Sequence, residues 1–168
     1  MLNFYFLLTG ADATMDEQTK RTLNNEGKYD FEDIGLILDY WPYSELFNYE
    51  PHFFVTEELW VRFNYWKEFQ NLYFSPIERI KMASNFIENC PDAILPRIWE
   101  IKFPGIPGID DFGIYQGRNL ILSEKAYKFI RSCVCDCPVG LIDIPLDEYF
   151  KKEFVMDYGS FPPIISYK

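Results

Sequence analysis

An α+β fold is predicted for this chain: a mixed sheet with two similar strand–helix–strand–helix units packed into one compact domain of 168 residues. Three observations lead there. A near-repeat recurs about 68 residues on, as HFFVTEELWVRF with NLYFSPIERI from His52 and as NLILSEKAYKFI with GLIDIPLDEYF from Asn119. Trp99, Ile101 and Phe103 alternate with Ile98, Glu100 and Lys102, which is the period of a strand. The apolar runs Phe112–Tyr115 and Leu120–Leu122, joined by Gln116-Gly117-Arg118-Asn119, read as a hairpin that adds an antiparallel pair.

From the N-terminus, residues 3–9 read as a buried strand, and the polar stretch Asp12 to Lys28 reads as a short surface helix closed by Gly27. Ile34 to Asp39 is a second strand, ended by Trp41-Pro42-Tyr43 because proline continues neither a ladder nor a helix interior. The first unit spans about 52–90. Phe53 to Val55 are extended, Thr56 is the N-cap, and Glu57 and Glu58 stand in the first turn, where the helix dipole favours negative charge. Leu59, Trp60, Phe63, Trp66 and Phe69 then form an apolar stripe at helical spacing. After a strand at Leu72 to Phe74, Ser75-Pro76-Ile77-Glu78 has the form of a capping box with proline at the first helical position. Ile77, Ile80, Ala83 and Ile87 mark the buried side of the helix it opens, which stops before Pro91.

Pro104, Gly105, Pro107 and Gly108 break regular structure ahead of the hairpin. In the second unit, about 119–157, Ser123 replaces Thr56 as the cap, and Ala126, Phe129 and Ile130 share one helix side. Leu141 to Ile144 repeats the strand, and Pro145-Leu146 opens a short helix through Lys151. A strand–helix–strand unit of this length predicts a crossover between parallel strands. Pro162-Pro163 before Ile164-Ile165 reads as an extended tail or edge strand.

Acidic side chains outnumber basic ones 26 to 16, so the net charge of -10 repels nucleic acid and anionic membranes and suits a basic partner. No apolar run approaches the roughly 18 residues a bilayer span requires. The opening MLNFYFLLTGADA lacks the basic n-region of a secretory signal. A cytoplasmic protein is therefore expected, with Cys90, Cys133, Cys135 and Cys137 reduced.

Candidate chemistry is sparse. His52 is the only histidine and carries no nucleophile motif beside it. Neither GxxxxGK[ST] nor GxGxxG occurs. Cys133-Val134-Cys135-Asp136-Cys137 would bring three thiolates to one strand face, with Cys90 or His52 as a fourth zinc ligand. That spacing is not a CxxC knuckle, and packed cysteines account for it better. The carboxylate pairs Glu57-Glu58, Asp110-Asp111 and Asp147-Glu148 suit helix starts more than glycoside hydrolysis. No catalytic residue, metal or cofactor is assigned. A zinc-binding or carboxylate-dependent hydrolase and a general interaction adaptor remain the alternatives to a dedicated binding protein.

The stretch Tyr29 to Glu50 interleaves acids with large aromatics, the composition of a contact surface for a basic partner. Its candidate partner-binding residues are Asp30, Glu32, Asp33, Asp39, Tyr40, Trp41, Tyr43 and Glu45, extended at the hairpin by Asp110, Asp111 and Tyr115. The competing reading is an irregular loop with aromatics tucked into the core and acids in solvent.

Leu120, Ile121, Leu122, Ser123, Glu124, Phe129, Leu141, Ile142, Ile144 and Pro145, with FYFLLT at the start and RIWEIKFPG before the hairpin, carry a family likeness. Over roughly residues 50 to 150, element order resembles that of bacterial immunity proteins from polymorphic toxin systems, compact α+β proteins with a recurrent Ser-Glu helix start. The resemblance implies a cytoplasmic protein that binds a cognate toxin domain and occludes its active site. It implies no chemistry of the chain's own and no functional role for the Ser-Glu starts.

Overall fold

Thirteen short strands and four helices occur among the described residues. The computed structural model describes residues 4–7, 13–25, 29–39, 45–49, 51–67, 69, 71–133, 139–142 and 144–153. The first half holds β1 (Phe4–Leu7), β2 (Ala13–Met15), β3 (Lys20–Leu23), β4 (Tyr29–Glu32), β5 (Gly35–Leu38), β6 (Leu46–Tyr49), β7 (His52–Thr56) and α1 (Glu57–Trp66). The second half holds β8 (Tyr73–Pro76), β9 (Arg79–Met82), α2 (Ser84–Asn89), β10 (Ile98–Lys102), β11 (Phe112–Tyr115), β12 (Asn119–Ser123), α3 (Glu124–Cys133), β13 (Val139–Ile142) and α4 (Leu146–Glu153). The α+β class holds, with the strands divided over four sheets rather than one.

Two of these sheets are built alike. One has the order β6-β7-β10-β8 and the other β11-β12-β1-β13, every neighbouring pair antiparallel. In each, a hairpin leads into a helix, and the helix returns the chain to a strand two places away. β7 and β8 are parallel because both oppose β10, and β12 and β13 are parallel because both oppose β1. The expected crossover thus occurs twice, each time leaving a slot for a third strand. β7 and β12 share one burial pattern, their central three residues buried and their ends partly covered.

The slots are filled crosswise. β1, which precedes the first unit, completes the sheet of the second, while β10, which precedes the second unit, completes the sheet of the first. Neither sheet closes without a strand from beyond its own hairpin and helix.

Helix α1 packs on β7 and β10, and α3 packs in the same way on β12 and β1. Between them lies one core of Leu7, Leu46, Phe53, Val55, Leu59, Phe63, Ile101, Phe103, Phe112, Leu120, Leu122, Ala126, Phe129 and Ile130. Phe63 of α1 meets Phe129 of α3 ring on ring, centroids 4.8 Å apart. The opposite faces of the two sheets have their own cover. Phe47, Phe54 and Ile98 pack with Leu36 and Leu38 of the β2-β5-β9 sheet, and Phe6, Ile121 and Ile142 pack with Phe150 of α4. In the β2-β5-β9 sheet, β5 and β9 pair in parallel.

Three sequence expectations are corrected. The stretch Asp12 to Lys28 holds strands β2 and β3 rather than a helix, because Lys20 to Leu23 pairs with Tyr29 to Glu32 in a two-stranded ribbon. The capping box does not open a helix. Ser75 and Pro76 lie in β8, an edge strand where proline is tolerated, the Ile77 N–H donates to the Ile98 carbonyl at 2.9 Å, and the helix begins only at Ser84. The repeated strand in the second unit is Val139–Ile142, two residues ahead of its expected place. The Trp41-Pro42-Tyr43 stop and the Pro162-Pro163 tail lie outside the described residues.

Candidate functional site

Asp30, Glu32 and Asp33 share the β3–β4 ribbon or its end, and all three are exposed. The ribbon does not present them as a uniform acidic face. Glu32 stands opposite Lys20, Asp30 accepts a hydrogen bond from the Asn24 amide at 3.1 Å, and Arg79 Nη1 meets Asp33 at 2.5 Å. Asp39 follows β5, and its carbonyl accepts from the Asn85 amide at 3.5 Å. Tyr40, Trp41 and Tyr43 lie outside the described residues.

Glu45 and Asp111 occupy one position in the two units. Each immediately precedes the first hairpin strand, and each accepts the backbone N–H of the helix cap residue, Thr56 at 3.1 Å and Ser123 at 2.9 Å. Each also holds the cap hydroxyl, for the Thr56 hydroxyl donates to the Glu45 carboxylate and the Ser123 hydroxyl to the Asp111 carboxylate. A side-chain oxygen fastened in this way sets where the helix begins. Only Ser123 also performs the capping itself, accepting the Ala126 N–H at 3.1 Å, whereas Thr56 makes no side-chain cap bond among the described residues.

The rest of the hairpin group also works within the fold. The Asp110 carboxylate accepts the Ile106 N–H at 2.7 Å and closes the preceding turn. Tyr115 stacks on Phe150 and donates its hydroxyl to Asp147, a bond that holds the phenol proton and raises its pKa. The described residues of the predicted surface are therefore divided among the ribbon, the end of β5, the start of α1 and the hairpin ahead of α3.

At the start of α1 the chain forms a cleft of about 620 Å³, lined by Glu45, Thr56, Glu57, Glu58, Ile94, Leu95, Pro96 and Arg97. Its far wall is the 94–97 segment, brought in when the Glu57 N–H donates to the Arg97 carbonyl at 3.0 Å. Arg97 lies 3.4 Å from Glu57, and Arg62 lies 2.6 Å from Glu58. Burial first, and the charge of Glu58 second, push the Glu45 carboxyl above its ordinary range. Beyond the cleft, Val61 and Tyr65 follow Glu57 at four-residue spacing along the outer side of α1, with Trp66 beside them.

His52 lies 2.6 Å from Glu100 through Nδ1, and both side chains are nearly buried. Phe31 stands edge-on to the imidazole, which is stacked over Phe54, and Nε2 has no hydrogen-bond partner among the described residues. The contact gives Glu100 a polar partner on the covered face of β10. No group of three metal-ligating side chains occurs among the described residues; Cys133 is partly buried, Cys90 is exposed, and Cys135 and Cys137 lie outside them.

Among the lining residues, Glu45 was the one expected to bind a partner, and Thr56, Glu57 and Glu58 were read as a helix start. Ile94, Leu95 and Arg97 follow no period and are recruited by pairing with a distant helix start. Val61 and Tyr65 were legible, as apolar positions four apart and off the buried stripe. No helix among the described residues is long and apolar enough to cross a membrane. Comparison of the chain with protein-family models, curated proteins and solved structures gives no match.

Proposed function

We propose that this chain is an immunity-type inhibitor, which binds a basic bacterial toxin domain and neutralises it by covering its active site. The observation that carries this reading is the outer face of α1. There Val61 and Tyr65 remain 49% and 84% exposed beside a cleft with three carboxylates, and at the end of the helix Trp66, whose ring packs edge-on against Phe129, is still 50% exposed rather than buried with the rest of its stripe. Exposed tyrosine and tryptophan supply most of the energy of protein contacts once water is excluded, and acids steer a basic partner towards them. A net charge of -10 extends that steering over the whole molecule and disfavours nucleic acid or anionic lipid as the partner. The chain acts by occupying a surface, inside the cytoplasm of the cell that makes the toxin.

Co-expression with a toxin domain, sought among the genes adjoining this chain's own, tests the reading. Cells are expected to survive with the intact protein, and death at the rate seen without it sinks the proposal. Tyr65→Ser is expected to weaken the complex about tenfold while leaving thermal stability unchanged, because so exposed a ring contributes little to the core.

A further inference from the structure

We infer that the cleft at the start of α1 seats a lysine or arginine side chain of the partner protein, its aliphatic stem lying along Ile94, Leu95 and Pro96. This inference rests on the reading of the chain as a binder of a basic protein and locates where that protein inserts its charge.

The two units supply the comparison. In the second, Asp111 holds the Ser123 hydroxyl and has a cation of its own, Lys125 Nζ at 3.9 Å. Lys125 stands two residues after the cap. The first unit keeps the carboxylate and the hydroxyl, as Glu45 and Thr56, but its residue two after the cap is Glu58. The cation that one unit provides for itself is replaced by an acid in the other.

Nearby cations do not make good the loss. Arg62 turns to Glu58 and Arg97 to Glu57, which leaves Glu45 without an ion-pair partner among the described residues. Burial and the charge of Glu58 raise the pKa of Glu45, and Arg62 offsets them only in part. An incoming guanidinium or ammonium would meet Glu45, and share Glu58 with Arg62, in a partly desolvated cleft, where charge-assisted hydrogen bonds are strongest. Ile94 is 84% exposed and Leu95 38%, so the rim offers apolar surface to the methylene stem of a long basic side chain. Val61 and Tyr65 continue from Glu57 along the helix and would take the partner's flanking residues.

The test uses the full chain and a fluorescein-labelled oligoarginine peptide, with the citrulline peptide of the same shape but no charge as its control. Binding is read by fluorescence anisotropy at low and at physiological salt. The intact protein is expected to bind oligoarginine and not its citrulline counterpart. Glu45→Gln keeps an acceptor for the Thr56 hydroxyl and is expected to weaken binding about tenfold. Glu58→Lys restores the pairing of the second unit and is expected to abolish it. Glu88→Gln makes the same charge change on the exposed side of α2 and is expected to weaken binding less than about twofold.

Equal weakening by Glu45→Gln and Glu88→Gln would mean diffuse attraction and overturn the cleft, leaving the basic-partner reading intact. Failure of the intact protein to bind oligoarginine at either salt would overturn that reading and the cleft with it. Should Glu45→Gln fail to fold in a thermal melt, Ile94→Ser alters only an exposed side chain. A loss of about threefold then supports the cleft, and unchanged affinity refutes it.

Discussion

Asp16 is the residue on which most of the local polar structure converges. It is 1% exposed, and its carboxylate accepts from Thr19 Oγ1 at 2.9 Å, from the Gln18 N–H at 3.2 Å and from Arg79 Nε at 3.2 Å. Thr19 in turn accepts the Gly35 N–H at 2.9 Å, and a Cβ at residue 35 would lie 2.3 Å from Asp16 Oδ2, so glycine is what permits the approach. Arg79 foremost, with Thr19 assisting and burial opposing, lowers the Asp16 pKa from 3.8 to about 2. A folded-state pKa below the unfolded one means that the ionised carboxylate stabilises the fold above the ordinary value. That contribution disappears as pH falls from about 4 to 2. Asp16→Asn is expected to lose about 2 kcal/mol in urea denaturation at neutral pH and to show a flatter pH dependence within that window. Because Arg79 also holds Asp33, changing Asp33 perturbs this node and does not report on partner binding alone.

At the scale of elements, helix starts were legible where cap and helix are neighbours in the chain, and misleading where a distant strand competed. Thr56 and Ser123 precede α1 and α3 as their spacing indicated. Ser75-Pro76-Ile77-Glu78 met the same local rules, but a cap is worth only about 1 kcal/mol, and pairing with β10 along Trp99 to Lys102 outweighs it. The ribbon of β3 and β4 was missed for the same reason. Its cross-strand partners, Lys20 with Glu32 and Thr22 with Asp30, are visible only once the chain has folded back. The candidate site followed this division. Glu45 stood out as an acid among aromatics, whereas Ile94 and Arg97 acquire a place only through the backbone bond to Glu57. Ser123→Ala removes the acceptor for the Ala126 N–H and the hydroxyl held by Asp111, so a loss of about 1–2 kcal/mol is expected in chemical denaturation.

For the molecule as a whole, the crosswise strands and the shared core make the two units one cooperative body. Leu7 lies in β1 yet packs in the same core as Phe53, Val55 and Phe63 of the first unit. Leu7→Ala is expected to cost about 2–4 kcal/mol, and hydrogen exchange should show β7 and β12 losing protection together. Separate openings of the two sheets would contradict the single core. The exchange also sets an order of assembly during synthesis. On the ribosome, β10 follows its neighbours β7 and β8 with only β9 and α2 between, so the first sheet can close while the chain is still growing. β1 is translated ahead of every other described strand, and its neighbours β12 and β13 come only after β11. At about 5–20 residues per second, Phe4–Leu7 waits on the order of ten seconds as an apolar strand with both edges unpaired. In that interval the nascent chain depends most on a chaperone, and the N-terminal strand is the segment it would have to shield.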